Sequence, residues 1–435
     1  MVPLEGGRGP AVTAPALVVL GAGLSQRPLI GLARAHGIAT CAVDGRTDRP
    51  AADAADVFVH HDFSDLDGTR AALAAAGVQA VGVTSMGSEQ AVVPGARLAA
   101  ALGLPGLPID AALAATDKVR QRGLYHRHGV PSAGFAPART VDDALAAYDA
   151  LGPRVIVKPT DGAAQRGVSD VRERAAIPAA VEHAVRHSRS GDLIVEEHLD
   201  GPEYTVNAFV LDGVFHAVSV TLRDLAPEPA VGICVAHRHP CGRPAADVEA
   251  IVDVVRGAAA AIGIDDAPVY AQVRVTADGP HMIECGARLG GGSDAQLARL
   301  VVGVDLLEAV LDAALGRPAG EHLRPQAVAE PFGHACFVIP DAPGRVIRAG
   351  AGEAPGLPGV HDVGFYHQPG QIVPPLTSAS GRLGVLLITA ASDAELDART
   401  AAARAALDVM IEPMEPAAAA VAWAEQVRRE REGAA

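Results

Sequence analysis

The chain has 435 residues, with 36 Lys and Arg against 51 Asp and Glu, for a formal net charge of −15. This balance argues against a nucleic-acid binder, which carries a basic face, and no apolar run reaches the ~18 residues needed to span a bilayer. A composition that is 49% hydrophobic, 20% charged and only 3% aromatic suits an enzyme of roughly two to four domains with a large core of Ala, Val, Leu and Ile.

Residues 1–14 lack a basic start followed by an apolar core, so they read as a disordered tail, not a signal peptide. The first folded unit is expected over residues 15–115. ALVVLGAG is an apolar strand ending in glycines, PLIGLARAHG a helix closing on glycine, TCAVD a second strand ending at Asp44, and VQAVGVTSM another buried strand. Strands alternating with helices predict a parallel, doubly wound sheet. Gly21-Ala22-Gly23 followed by Asp44 also resembles a dinucleotide fingerprint, but Gln26 stands where a third glycine belongs.

A middle unit is expected over residues 116–320. Residues 155–220 are strand-rich, with turn signals at Asp161-Gly162, Gly191-Asp192 and Asp212-Gly213, which suits a lid subdomain over about residues 130–195. GVDLLEAVLDAALGRP reads as an amphipathic helix with a glycine stop. A smaller α+β unit is expected over residues 321–435. Its strands are HACFVIP, the segment around Arg345 to Ala349, and RLGVLLITA; its helix is DAELDARTAAARAALDVM, and EQVRREREGAA is a charged helix end. The five cysteines are scattered without a C-x-x-C pair, which suits reduced thiols in a cytoplasm.

The most informative stretch is residues 269–294, VYAQVRVTADGPHMIECGARLGGGSD. It predicts two strands joined at Asp278-Gly279, then a glycine-rich exit. Gln272 and Glu284 fall on neighbouring strands, and Arg288 follows Glu284 by four residues. A carbonyl ligand, a carboxylate and an arginine so gathered suit Mg2+ on nucleotide phosphates. The arginine would meet charge that builds as a phosphoryl group moves. A hairpin with solvent-facing polar residues is the plain alternative.

Upstream stand Lys118 in ATDKVRQRGLYHRHGVP, then VIVKPTDGAAQRGV, then LIVEEHLDGPEYTVNAFV. An early lysine, a strand ending in Lys-Pro, a glycine-bearing loop, an E-x-x-L hinge, G-x-E and the metal hairpin follow in that order. Together they resemble the ATP-grasp superfamily, and within it the carboxylate–amine ligases of the L-amino-acid-ligase and carbamoyl-phosphate-synthetase-like type. The resemblance covers roughly residues 15–395. It implies an ATP-grasp fold preceded by a Rossmann-like pre-ATP-grasp domain and followed by the smaller α+β domain.

The resemblance also implies roles. Lys118 and Lys158 would meet the nucleotide phosphates from two sides, and Gly162, Arg166 and Gly167 would belong to the loop that covers them. Ala164 and Gln165 depart from the family's glycines and serine there. Glu196, Glu197 and Leu199 would form the adenine hinge, and Glu203 would accept the ribose hydroxyls. Glu284 and Gln272 would hold Mg2+, with Mn2+ as a substitute, although the family more often has Glu at position 272 and Asn at 286, which is Gly here. Arg288 and Arg274 would stabilise an acyl phosphate, and His237 would line the acceptor pocket. Asp44 and Glu89 would be structural or line the cleft.

The implied activity is ATP-dependent joining of a small-molecule carboxylate to an amine through an acyl phosphate, releasing ADP and phosphate. No nucleic-acid or membrane partner is expected, and a homodimer is compatible. A carboxylase, a purine-pathway ligase, a non-catalytic ATP-binding regulator and an NAD oxidoreductase stand as rivals.

Overall fold

The computed structural model describes residues 15–432 apart from positions 48 and 229; the expected tail over residues 1–14 lies outside them. In the first unit, β1 (Pro15–Leu20), α1 (Arg27–Ala35), β2 (Ala39–Asp44), β3 (Val57–His60), α2 (Leu66–Ala75), β4 (Gln79–Thr84), α3 (Val92–Leu102) and α4 (Ile109–Ala115) alternate as the sequence predicts. The strands form a parallel sheet in the order β3-β2-β1-β4. β1 is buried along nearly its whole length, as a strand covered on both faces must be.

The second unit opens with α5 (Lys118–His128), and the lid follows as β5 (Phe135–Ala138), α6 (Val141–Leu151), β6 (Val155–Pro159), β7 (Ser169–Val171), α7 (Ile177–Val185) and β8 (Leu193–Glu197). Its four strands pair antiparallel as β5-β8-β6-β7. The lid has an apolar core of its own, with Ala144, Val155, Val157, Ile177 and Val195 inside. The large strands then follow: β9 (Glu203–Leu211), β10 (Val214–Leu225), β11 (Cys234–His239), α8 (Ala245–Ile262), β12 (Ala267–Thr276), β13 (Gly279–Gly286), α9 (Asp294–Val301) and α10 (Leu306–Ala314). Asp305 caps α10 by accepting from the Leu307 and Glu308 amides, both at 3.2 Å.

The last unit contains β14 (Phe332–Val338), β15 (Gly344–Gly350), β16 (Val360–Phe365), β17 (Ile372–Val373), β18 (Gly384–Ala390), α11 (Asp393–Ala405), β19 (Asp408–Pro413) and α12 (Pro416–Glu432). The expected α+β unit forms, and three of its strands continue the central sheet, which runs β13-β12-β9-β10-β11-β14-β18-β16. The helix expected to continue through Met410 stops at Ala405. Residues 408–411 alternate exposed and half-buried, a period of two that puts Val409 and Ile411 against the core and pairs β19 with β15. Among the described residues no helix is long and apolar enough to cross a membrane.

Two glycines permit close backbone approach. A Cβ at Gly82 in β4 would lie 2.5 Å from the Ala314 carbonyl oxygen at the end of α10. Gly201, in the turn between β8 and β9, has φ +126°, and a Cβ there would lie 2.0 Å from the Val275 oxygen. Gly201→Ala should therefore cost about 2 kcal/mol or more. Denaturant unfolding measures this, and a change within ~0.5 kcal/mol would show that the turn relaxes freely.

Candidate active site

A cavity of about 660 Å3 opens where the parallel sheet, the lid, the central sheet and the C-terminal unit meet. Thirteen of the fourteen site residues expected from the sequence line it. The exception, Gly167, ends the loop, where a Cβ would press on His187.

At the lysine end, Asp117 caps α5 and fixes Lys118 at its first position. The Lys118 ammonium donates to the Gly162 oxygen at 2.8 Å and to Glu284 Oε1 at 3.3 Å, so it ties the loop to the hairpin. Arg122, one turn later on the same helix face, is 1% exposed and lies 2.8 Å from Glu196 Oε1. Lys158 Nζ is 2.5 Å from Glu196 Oε2. Burial pulls the Lys158 pKa down, against the pull of Glu196. Burial pushes Glu196 up, but Arg122 and Lys158 outweigh it and hold the carboxylate below its usual range. The Glu196 side chain is thus an ion-pair partner at the base of the expected hinge.

Gln272 and Glu284 are directly opposed in the β12–β13 ladder. Burial raises the Glu284 pKa, but Lys118, Arg288 and Lys158 bring it below the usual value, so the group is ionised. This donor set is one carboxylate and one amide oxygen, and among the described residues no three His, Cys, Asp or Glu could hold an ion together. It fits a hard cation that takes most of its oxygens from phosphate and water, and not a cage made of protein alone.

Arg288 Nε donates to Glu89 Oε2 at 2.9 Å, and its guanidinium lies over the Tyr270 ring at 5.1 Å. Burial lowers its pKa, but Glu89 and Glu284 hold it above the usual value. Glu89 comes from the first unit and lines the cavity; its Oε1 is buried without a partner. A Cβ at Gly286 would lie 3.7 Å from Glu89 Oε2, in ordinary contact with that carboxylate.

At the hinge, Glu203 is 4% exposed on the interior strand β9. Arg274 Nη2 donates to it at 2.6 Å, and Arg223 Nε lies 2.7 Å away. Arg274 Nη1 donates to the Leu199 oxygen at 2.9 Å. Both terminal nitrogens of Arg274 therefore hold the hinge. Glu197 is exposed and accepts from the Gly134 amide at 3.3 Å.

His237 is 2% exposed, 3.1 Å from Asp294 Oδ1 but not aligned for a hydrogen bond, and edge-on to Phe337. Burial, with Arg223 and Arg382 nearby, holds its pKa well below the usual value, so it is neutral. Burial raises Asp294 to about 6.

The dinucleotide-like turn is filled by its own protein. Gln26 Oε1 accepts from the Gly23 amide at 2.9 Å, and its amide donates to the Met86 oxygen. Asp44 accepts from the Ala22 and Arg46 amides and pairs with Arg49. This acid holds the turn and the segment after β2 together, and it is not among the residues that line the cavity.

Five residues escaped the sequence reading: Arg122, Arg223, Tyr270, Asp294 and Arg382. Arg122 carried a signal in its spacing of four from Lys118, and Arg223 in being a charge inside the apolar run VSVTLRDL. Arg382 had no local signal.

The chain matches the ATP-grasp domain over residues 152–295 and the L-amino acid ligase C-terminal domain 2 over residues 336–412. It is 32% identical over 230 residues to the D-alanine–D-alanine ligase of Gloeobacter violaceus, covering 49% of this chain and 74% of that one. It is 31% identical over 369 residues to the phosphoribosylamine–glycine ligase of Xanthomonas axonopodis pv. citri, covering 78% and 81%. The crystal structure of L-amino acid ligase from Bacillus licheniformis superposes with a TM-score of 0.77 and 22% identity, covering 92% of this chain and 99% of that one. Against two further curated relatives the chain spans 64% and 58% of their length.

An acid whose pKa is higher folded than unfolded stabilises at low pH and loses that contribution as pH rises toward the folded value. For Asp294 the window runs from its ordinary 3.8 to about 6. Asp294→Asn should therefore gain stability over wild type as pH rises through that window, by on the order of 2–3 kcal/mol at pH 7. Paired unfolding curves at pH 4 and pH 7.5 measure the difference, and an equal gap at both would show that burial does not raise the Asp294 pKa.

Proposed function

The chain belongs to the ATP-grasp superfamily of carboxylate–amine ligases, and from that premise we propose that it joins an amino acid, or a similar carboxylate, to an amine with conversion of ATP to ADP and phosphate. The observation that carries this reading is the gathering of Lys118, Lys158, Glu284, Gln272 and Arg288 in one cavity. The C-terminal match favours an amino-acid substrate.

In the proposed reaction a substrate carboxylate oxygen attacks the γ-phosphorus, the bond to the β-phosphate oxygen breaks, and ADP leaves. The amine then attacks the acyl carbon, loses a proton, and expels phosphate as the amide forms. No enzyme group need be covalently modified. Lys118 and Lys158 bind the phosphates and position them. Glu284 and Gln272 would hold Mg2+, which when bound neutralises phosphate charge. Arg288 presents a planar fork to the oxygens that gain charge. The lid, with its own core, closes over the nucleotide and keeps water from the acyl phosphate. Glu203, clamped between two arginines, retains acceptor capacity for a ribose hydroxyl.

A phosphorylated ribosyl amine as the amine substrate is a second reading, favoured by the likeness to the Xanthomonas enzyme. Mass analysis of products from ATP with either amine separates the two.

Glu284→Gln should remove nearly all ADP formation while nucleotide binding persists. Retention of more than about a tenth of wild-type turnover, only ~1.4 kcal/mol of barrier, would sink the assignment. Arg288→Lys should lower turnover roughly a hundredfold, because the point charge remains and the fork is lost; a defect mainly in ATP affinity would reassign this arginine to ground-state binding. The nucleotide product should be ADP; stoichiometric AMP would overturn the mechanism.

A further inference from the structure

Lys118 and Lys158 are the only two lysines in the chain, in which Lys and Arg together number 36. Every other strongly basic side chain is an arginine, and both lysines line the cavity. The two residue types share a charge but not a chemistry. A guanidinium keeps its proton in a protein, whereas a buried ammonium gives its proton up more readily and then carries a nucleophilic lone pair. Apart from the N-terminal amine, the amine chemistry of this protein is therefore confined to the cavity.

The two lysines stand in unequal surroundings. Lys118 has Glu284 as its carboxylate partner and also donates to the Gly162 oxygen at 2.8 Å. Lys158 shares its carboxylate. Glu196 lies 2.8 Å from Arg122 and 2.5 Å from Lys158, and the three side chains are at most 9% exposed. Arg122 cannot release its proton, and Glu196 is held ionised, so these two already offset each other. The Lys158 ammonium is the surplus charge in a place shielded from water. Burial lowers its pKa from the ordinary 10.5 against the pull of Glu196, and Arg122 and Lys118 add to the lowering. A desolvated lysine beside further cations is the arrangement that activates an amine as a nucleophile.

The same cations select the electrophile. Lys118, Lys158 and Arg288 line one cavity, and cations so gathered attract a phosphate group. An acyl phosphate carries its electrophilic carbon beside that group, so seating the phosphate brings the carbon to the amine.

We propose that Lys158 is a site of covalent acylation by small acyl phosphates, and that this modification closes the cavity to nucleotide. The neutral amine attacks the acyl carbon, the bond from that carbon to the phosphate oxygen breaks, phosphate leaves with the electron pair, and the nitrogen gives a proton to water. The resulting amide has no charge and more bulk. It takes one cation from the cavity and leaves Glu196 to Arg122 alone. The proposal goes beyond the ligase reading and shares with it only the phosphate-binding role of the cavity.

The test incubates the full chain with acetyl phosphate, maps the acetylated positions by peptide mass and follows ATP binding in parallel. Lys158 should be acetylated before Lys118, and faster than the same lysine in a free peptide of residues 153–163. ATP binding should fall in step with the label. ATP at about ten times its Kd should slow the labelling about tenfold, because only the nucleotide-free fraction reacts. Lys158→Arg keeps a cation and offers no amine, and should lose this label while the one on the N-terminal amine remains. Equal rates in chain and peptide, acetylation of Lys118 first, or labelling indifferent to ATP would each overturn the proposal. Should Lys158→Arg fail to fold, the wild-type map and the protection by ATP decide alone. A chain that forms ADP with an acid and an amine yet resists acetyl phosphate overturns the acylation site and leaves the ligase reading standing. A chain acetylated at Lys158 that forms ADP with no acid–amine pair does the reverse.

Discussion

A charge taken out of water costs on the order of several kcal/mol unless an opposite charge meets it, and the cavity is arranged around that requirement. Glu196 serves Arg122 and Lys158 together, and Glu203 serves Arg223 and Arg274. Sharing one carboxylate between two cations leaves positive charge in excess while each of these four cations keeps an anionic neighbour. A triphosphate entering such a place meets cations already held in position, so little reorganisation is left for the reacting state. The same pairings join separate elements: α5 to β8 through Arg122, β9 to β10 and β12 through Glu203, and the first unit to the hairpin exit through Glu89 and Arg288. The electrostatics of the site and the assembly of the domains are therefore one problem.

The sequence made the local parts of this arrangement legible. Gln272 and Glu284 could be paired across a hairpin because one turn signal, Asp278-Gly279, sets the register, and they do face each other. Lys158 could be singled out because a charge ending the apolar run VIVK is unusual, and it is buried. Partners were not legible where they come from distant strands. Nothing near Glu203 announces Arg223 or Arg274, which reach it only once β9 lies between β10 and β12. Arg382 becomes a cavity residue only because β14 and β18 extend the central sheet. The strand at residues 408–413 was hidden for another reason. It follows an alanine-rich helix without a break strong enough to end the helical pattern, and its alternation shows only against β15.

Continuity of the central sheet gives the C-terminal unit more than a packing role. β11 carries His237 and pairs directly with β14, with His237 opposite Ala335. β14 in turn carries Phe337, which stands against both His237 and Arg382. Two adjacent strands, one from each unit, thus set the spacing among a neutral imidazole, an aromatic floor and a guanidinium. A rigid sheet fixes such spacing better than loops do. Substitutions on the far side of β14 would reach the pocket through the ladder.

The loop over residues 161–167 shows how a conformation can be held where the sequence lacks the residues that adopt it easily. Ala164 and Gln165 have φ of 60° and 58°, the left-handed region that favours glycine. Each such residue costs about 1 kcal/mol or more and persists only when its surroundings hold it. Those surroundings are present. Asp161 accepts from the Arg189 and Ser190 amides, Lys118 takes the Gly162 oxygen, and Ala379 takes the Ala164 oxygen. A Cβ at Gly162 would lie 2.5 Å from Pro159 Cγ, so this position stays glycine for a steric reason. Where glycines would allow the left-handed shape at low cost, this chain reaches it by bracing from the lid, from α5 and from the C-terminal unit. The backbone N–H groups that such a conformation turns to one side are the groups that can meet phosphate oxygens. The loop's geometry is thus supplied by tertiary contacts, which the local sequence does not display.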